Sequence, residues 1–200
     1  EKDSQNHQDK VSTIFAYGTL MRCEERFDLV KKFNPVSIIL AETHGRLYDL
    51  GDYPGLVRTS GSREQVQGEL IHFPFIEDAL KFLDRIEGYH PSRPDDSLYL
   101  RKLVDVHVGD GRVRQAWTYV YNQQLTEDRF IPSGDWRQHK GYKEEFLKRL
   151  VEKHIVGYSE AQLASELSST WDPWALVGRS PVPAQTLSDL YKAVSSGLLS

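Results

Sequence analysis

The alternation of apolar and polar positions divides the chain into short strands and a few amphipathic helices. Thr13-Ile14-Phe15-Ala16-Tyr17 reads as a buried strand, and Gly18 lets the backbone turn before an amphipathic stretch around Phe27, Leu29, Val30 and Phe33. Val36 to Leu40 and Gly45 to Asp49 are rich in β-branched and aromatic residues. They are broken by Gly51, Pro54 and Gly55 and followed by another strand from Gln65 to Phe73. The spacing of Ile76, Ala79, Leu80, Leu83 and Ile86 predicts a helix from Ile76 to Glu87, with Pro74 ahead of it and Gly88 placed to end it. Tyr99 to Val108 and Val113 to Tyr121 then form a hairpin across Gly109-Asp110-Gly111-Arg112. The fold class implied is mixed α+β.

The two ends differ from this middle. Glu1 to Lys10 is wholly polar, carries no initiator Met, and reads as a disordered lead-in to a processed or trimmed chain whose fold begins near Val11. After Asn122 the pattern turns helical, with candidates at Glu144 to Ile155, Ser159 to Leu167 and Leu187 to Val194. Between the last two, Thr170 to Pro183 holds Trp171 and Trp174, which are expected to pin the tail to the body. The expected organisation is a lead-in over 1–10, a domain over 11–136 and a helical C-terminal extension over 137–200 that packs on the core and offers a surface for self-association. No internal repeat is present.

Composition narrows the function classes. With 200 residues, 39% hydrophobic and 27% charged, the chain holds enough apolar material for one ordinary core. Its 25 Lys+Arg against 29 Asp+Glu give a net charge of -4, without the basic footprint of a nucleic-acid binder. The stretch Ser159-Glu160-Ala161-Gln162-Leu163-Ala164, which faintly resembles the first helix of a helix-turn-helix, is therefore expected to be a surface helix. The longest aliphatic run, Val36 to Ala41, is far short of the roughly 20 residues of a membrane span, so no membrane partner and a cytoplasmic setting are expected. Cys23 is the single cysteine, and the seven histidines are scattered without H-x-H or H-E-x-x-H spacing, so neither a metal nor another cofactor is expected. The nucleophile elbow, the phosphate loop and the dinucleotide turn are all missing from the sequence.

Three features remain that could carry chemistry. On the helix from Ile76, residues 80, 83 and 87 lie within about 40° of Ile76, which places Glu87 on the same stripe as Leu80 and Leu83. Desolvation and the negative end of the helix both raise the pKa of such a carboxylate and suit it to accept and return a proton, although pairing with Arg101 or another cation would make it purely structural. The turn Tyr17-Gly18-Thr19-Leu20 follows a buried strand and can present consecutive N–H groups to an anion or oxyanion, though an ordinary strand-to-helix turn has the same composition. Tyr99 and Arg101 share one face of the hairpin with Trp117, Tyr119 and Tyr121, a face that forms core or lines a polar pocket.

These pieces occur in a recognisable order. Phe15-Ala16-Tyr17-Gly18-Thr19-Leu20-Met21, the stretch from Gly45 to Val57, Val66-Gln67-Gly68-Glu69-Leu70 and Leu83-Asp84-Arg85-Ile86-Glu87-Gly88-Tyr89 together resemble the γ-glutamylcyclotransferase-like family, in its γ-glutamylamine cyclotransferase or AIG2-like branch. Tyr99-Leu100-Arg101, Trp117 to Tyr121 and Ile131 to Trp136 extend the likeness over about residues 12 to 136.

The resemblance implies a small mixed β-barrel with flanking helices. It also implies an enzyme that cyclises a γ-glutamyl conjugate to 5-oxoproline and a free amine, without metal or covalent intermediate. It makes Glu87 the catalytic acid/base, Tyr17, Gly18, Thr19 and Leu20 the substrate-binding loop, and Tyr99 and Tyr121 pocket-lining groups. The partner implied is a small γ-glutamyl compound. After Leu20, where many members acting on γ-glutamylamines have a glycine and an asparagine, this chain reads Met21-Arg22-Cys23-Glu24-Glu25-Arg26, which leaves the choice of amine open. A non-catalytic pocket that binds small ligands on the same fold is the alternative, and removal of a γ-glutamyl protecting group in a specialised biosynthetic step is a further one.

Overall fold

The computed structural model describes residues 11–22, 24–58, 61 and 63–141. The expected lead-in, the three C-terminal helices and the tryptophan loop lie outside the described residues. Five strands close into a barrel in the order β1-β5-β2-β6-β7: β1 (Thr13–Ala16), β2 (Ser37–His44), β5 (Gln65–His72), β6 (Tyr99–Val108) and β7 (Val113–Tyr121). The barrel is mixed, because β1 runs antiparallel to β5 but parallel to β7, where Ile14 faces Trp117. A second sheet, β4-β3-β8, is built from β3 (Arg46–Asp49), β4 (Pro54–Val57) and β8 (Phe130–Ile131). Among the described residues three α-helices flank these sheets: α1 (Phe27–Lys31), α2 (Ile76–Ile86) and α3 (Trp136–His139).

The α+β reading and the barrel implied by the resemblance are both realised. The hairpin β6–β7 has the bounds expected from its alternation, and its register sets Tyr99 opposite Tyr121 and Arg101 opposite Tyr119. Strand β4 is a departure, since Pro54 and Gly55 read as breakers. It lies at the edge of its sheet and begins with Pro54, a position where a strand tolerates the missing N–H.

The core fills the barrel and the space beneath α2. Phe15, Val66, Ile71 and Val106 come from strands, while Ala79 and Leu83 come from the buried face of the helix. Helix α2 stops where Gly88 adopts φ +62. The Tyr89 N–H donates to the Asp84 carbonyl at 2.8 Å and the Gly88 N–H to the Arg85 carbonyl at 3.4 Å. This pair of bonds is the Schellman ending, whose left-handed residue is met at least cost by glycine. It fixes Glu87 as the last residue before the chain leaves the helix.

The fold continues through α3. The Asp135 carboxylate caps this helix, accepting from the N–H groups of Arg137 and Gln138. Trp136 and Arg137, on either side of the expected end of the domain, are both buried.

Candidate functional site

A cleft of about 140 Å³ opens between β1, the turn that follows it and the C-terminal end of α2. Its size suits a single amino-acid-like group. Tyr17, Gly18, Thr19 and Leu20 form one wall, with Glu87 and Tyr99 among the other lining residues. Segments 17–20 and 87, distant in sequence, are thus brought to one place. Tyr121 is not part of the lining: its ring stands edge-on to Tyr99 at 5.3 Å between centroids and packs over Gly55. It shares the parity of Tyr119 but lies at the end of β7, where it supports Tyr99 from outside the cleft. Tyr119, Tyr53 and Arg26 line the cleft as well, and none of the three is among the site residues that the resemblance implies. The hairpin face that strand parity gives Tyr119 is its signal in the sequence, whereas Arg26 and Tyr53 have none.

The turn after β1 is held tightly. The Met21 N–H donates to the Gly18 carbonyl at 2.9 Å, and the Arg26 N–H donates to the Thr19 carbonyl at 2.9 Å. The N–H groups of Thr19 and Leu20 have no acceptor among the described residues. A Cβ on Gly18 would lie 2.5 Å from Pro54 Cγ, so a side chain here would push β4 away from the turn.

Behind the turn lies a buried ionic cluster. Arg137 Nε donates to Glu24 Oε1 at 3.1 Å, and its Nη2 donates to Glu69 Oε1 at 3.2 Å and to the Arg22 carbonyl at 2.8 Å. The Arg22 N–H completes the link to β5, donating to Glu69 Oε2 at 2.6 Å. Residues 22 and 24 are thereby tied to β5 and α3, which fixes the trailing side of the 17–20 turn.

Three tyrosine hydroxyls brace the walls. Tyr17 donates to the Tyr119 carbonyl at 2.6 Å and accepts from the Leu56 N–H at 3.3 Å. Tyr99 donates to the Pro54 carbonyl at 2.8 Å, and Tyr119 donates to Asp84 Oδ1 at 2.8 Å. Burial raises the pKa of all three, most directly by desolvation, so they remain neutral hydrogen-bonding groups.

Glu87 is the unusual group. It is largely buried, with a fringe exposed to the cleft, and its carboxylate makes no hydrogen bond or ion pair with the described residues. The structural pairing with Arg101 does not occur, because Arg101 Nη1 donates to Asp84 Oδ2 at 2.7 Å. Desolvation raises the Glu87 pKa to about 7, with Arg26 pulling modestly the other way. The group can therefore exist in either protonation state near neutral pH, facing a turn that offers free N–H donors.

The sequence profile described as Gamma-glutamyl cyclotransferase, AIG2-like matches residues 14–138. Over 125 residues the chain is 30% identical to a Vibrio cholerae protein that carries the gamma-glutamylcyclotransferase name provisionally, covering 62% of this chain and 95% of that one. It is also 30% identical over 124 residues to the gamma-glutamylcyclotransferase family protein YtfP of Escherichia coli K12, covering 62% and 94%. Among solved structures, YkqA from Bacillus subtilis superposes with a TM-score of 0.51 at 25% identity. That match covers 66% of this chain and 42% of YkqA, so the chain spans less than half the length of that protein. The profile matches well over half of the chain and contains both the 17–20 turn and Glu87; the chain belongs to the gamma-glutamyl cyclotransferase, AIG2-like family.

Proposed function

We propose that this chain is a γ-glutamyl cyclotransferase, which cyclises the γ-glutamyl part of a small conjugate to 5-oxoproline and releases the amine. The observation that carries this reading is Glu87: a carboxylate with its pKa near 7, free of any described counter-ion and set in the same cleft as the 17–20 turn. In the reaction, the substrate's α-amino nitrogen attacks its own γ-carbonyl carbon. A carbon–nitrogen bond forms, and the carbonyl oxygen becomes an oxyanion that the free N–H groups of Thr19 and Leu20 can receive. Glu87 takes a proton from the attacking nitrogen and returns it to the departing nitrogen as the original amide bond breaks. One carboxylate serves both transfers, because the proton gained in the first step is the proton required in the second.

The rigid walls suit such a reaction. Ring closure demands that the γ-glutamyl chain be held folded, and a small cleft braced by tyrosine hydrogen bonds supplies that constraint. Incubating the chain with γ-glutamyl amino acids, γ-glutamyl-ε-lysine and glutathione, followed by mass spectrometry for 5-oxoproline, tests the proposal. Release from at least one of them is expected. Saturable binding of a γ-glutamyl compound without release would favour a pocket that only binds.

A further inference from the structure

The cleft contains a cation that the reaction as described does not use. Arg26 lines it, is held beside the 17–20 turn by its N–H bond to the Thr19 carbonyl, and has its guanidinium carbon 5.6 Å from the centre of the Tyr53 ring. Its charge acts on Glu87, so the two groups lie within electrostatic reach across the same space. Among the described residues Arg26 has no ion-pair partner, while the nearby carboxylates are engaged elsewhere: Asp84 by Arg101, and Glu24 and Glu69 by Arg137. A half-buried guanidinium stacked on an aromatic ring and facing a cleft has five donors in a fork that matches a carboxylate.

We propose that Arg26 binds a carboxylate of the ligand and thereby sets which γ-glutamyl compounds the cleft accepts. This rests on the cyclotransferase reading for the identity of the ligand, but not for the existence of the carboxylate subsite. Two carboxylates could fill it. One is the α-carboxylate of the γ-glutamyl group, which 5-oxoproline retains, and the other belongs to the leaving amino acid. In either case the contact joins a charged donor to a charged acceptor in a partly desolvated place, where removing the guanidinium weakens binding about ten- to a hundredfold.

The test has a binding arm and a turnover arm, each run on the full chain and on Arg26→Gln, with Arg26→Lys as a second variant that keeps charge but loses the fork. In the binding arm, 5-oxoproline and 2-pyrrolidinone, the same ring without a carboxylate, are titrated by NMR. In the turnover arm, γ-glutamyl-alanine and γ-glutamyl-ethylamide are compared at pH 8, where Glu87 is ionised. Thermal melting establishes that each variant is folded.

If the α-carboxylate is the ligand, the unaltered chain prefers 5-oxoproline, Arg26→Gln loses that preference, and KM rises for both substrates. If the leaving group supplies the carboxylate, KM rises about ten- to a hundredfold for γ-glutamyl-alanine alone. Either result, with kcat little changed, supports the subsite. Folded variants that leave both the ring preference and both KM values unchanged overturn it. Lack of turnover by the unaltered chain would defeat the cyclotransferase reading instead, and the binding arm alone then decides: loss of the 5-oxoproline preference in Arg26→Gln supports the subsite, and its persistence or prior absence overturns it.

Discussion

Arg101 pairs with Asp84 at 2.7 Å rather than with Glu87, one turn further along the same helix end. Asp84 also accepts from the Tyr119 hydroxyl, so a single carboxylate satisfies both a cation and a phenol from strands β6 and β7. Arg101 is thereby engaged away from Glu87, and the cation that acts on the Glu87 carboxyl is Arg26. The elevated pKa arises from burial, and an Arg101 released from Asp84 would be a second cation to oppose it.

Replacing Asp84 tests that dependence. Asp84→Asn keeps the shape but leaves the Arg101 guanidinium with one fewer charge to balance it, which should lower the Glu87 pKa. Loss of the charged hydrogen bonds should also cost about 2 kcal/mol of stability. The rising limb of the rate against pH, expected near 7 in the unaltered chain, should move to lower pH in the variant. A limb that stays in place would mean that Arg101 has no influence on the proton acceptor.

The same ionisation leaves a signature in stability. Because the folded Glu87 pKa of about 7 lies above the ordinary glutamate value of 4.5, the folded state binds the proton more tightly than the unfolded state. Its contribution is fully present below about pH 4.5 and is lost as pH rises through 7. Relative to Glu87→Gln, the chain should therefore lose on the order of 3 kcal/mol between these limits. Urea unfolding of both proteins at pH 5 and pH 8 reads the difference directly: similar stability at the lower pH, and a more stable variant at the higher one. A constant difference across both would show that Glu87 titrates as an ordinary glutamate.

Gly18 offers a geometric check on the turn. In Gly18→Ala the added methyl must displace Pro54, whose Cγ lies 2.5 Å from its position. Overpacking of this kind costs about 1–3 kcal/mol. Since the shift falls at the wall of the cleft, kcat should fall more than the melting temperature alone explains. A variant that melts lower but turns over normally would separate the turn from the chemistry.

The sequence carried these features unequally. Helix α2 and the β6–β7 hairpin were legible because each has a strong local period and a glycine turn at its end, and Glu87 stood out because it broke that period. Strand β4 was hidden because Pro54 and Gly55 are breakers except at a sheet edge, and β8 is too short to show a period. The ionic cluster of Arg22, Glu24, Glu69 and Arg137 joins positions as much as 115 residues apart, and nothing in the local pattern of any one of them reports the others. The position of Tyr121 beside the cleft is hidden for a related reason. Strand parity gives the face on which a side chain lies, but not how far along the barrel the cleft extends.

Proton transfer by Glu87 is tested by 5-oxoproline release from Glu87→Gln against the unaltered chain, with both shown to be folded by thermal melting. Gln preserves the shape of Glu87 but cannot shuttle the proton. A loss of about 10²- to 10⁴-fold in kcat is expected, the range usual for a general acid/base, with melting at pH 8 unchanged or higher. A folded Glu87→Gln that released 5-oxoproline at the same rate would contradict it.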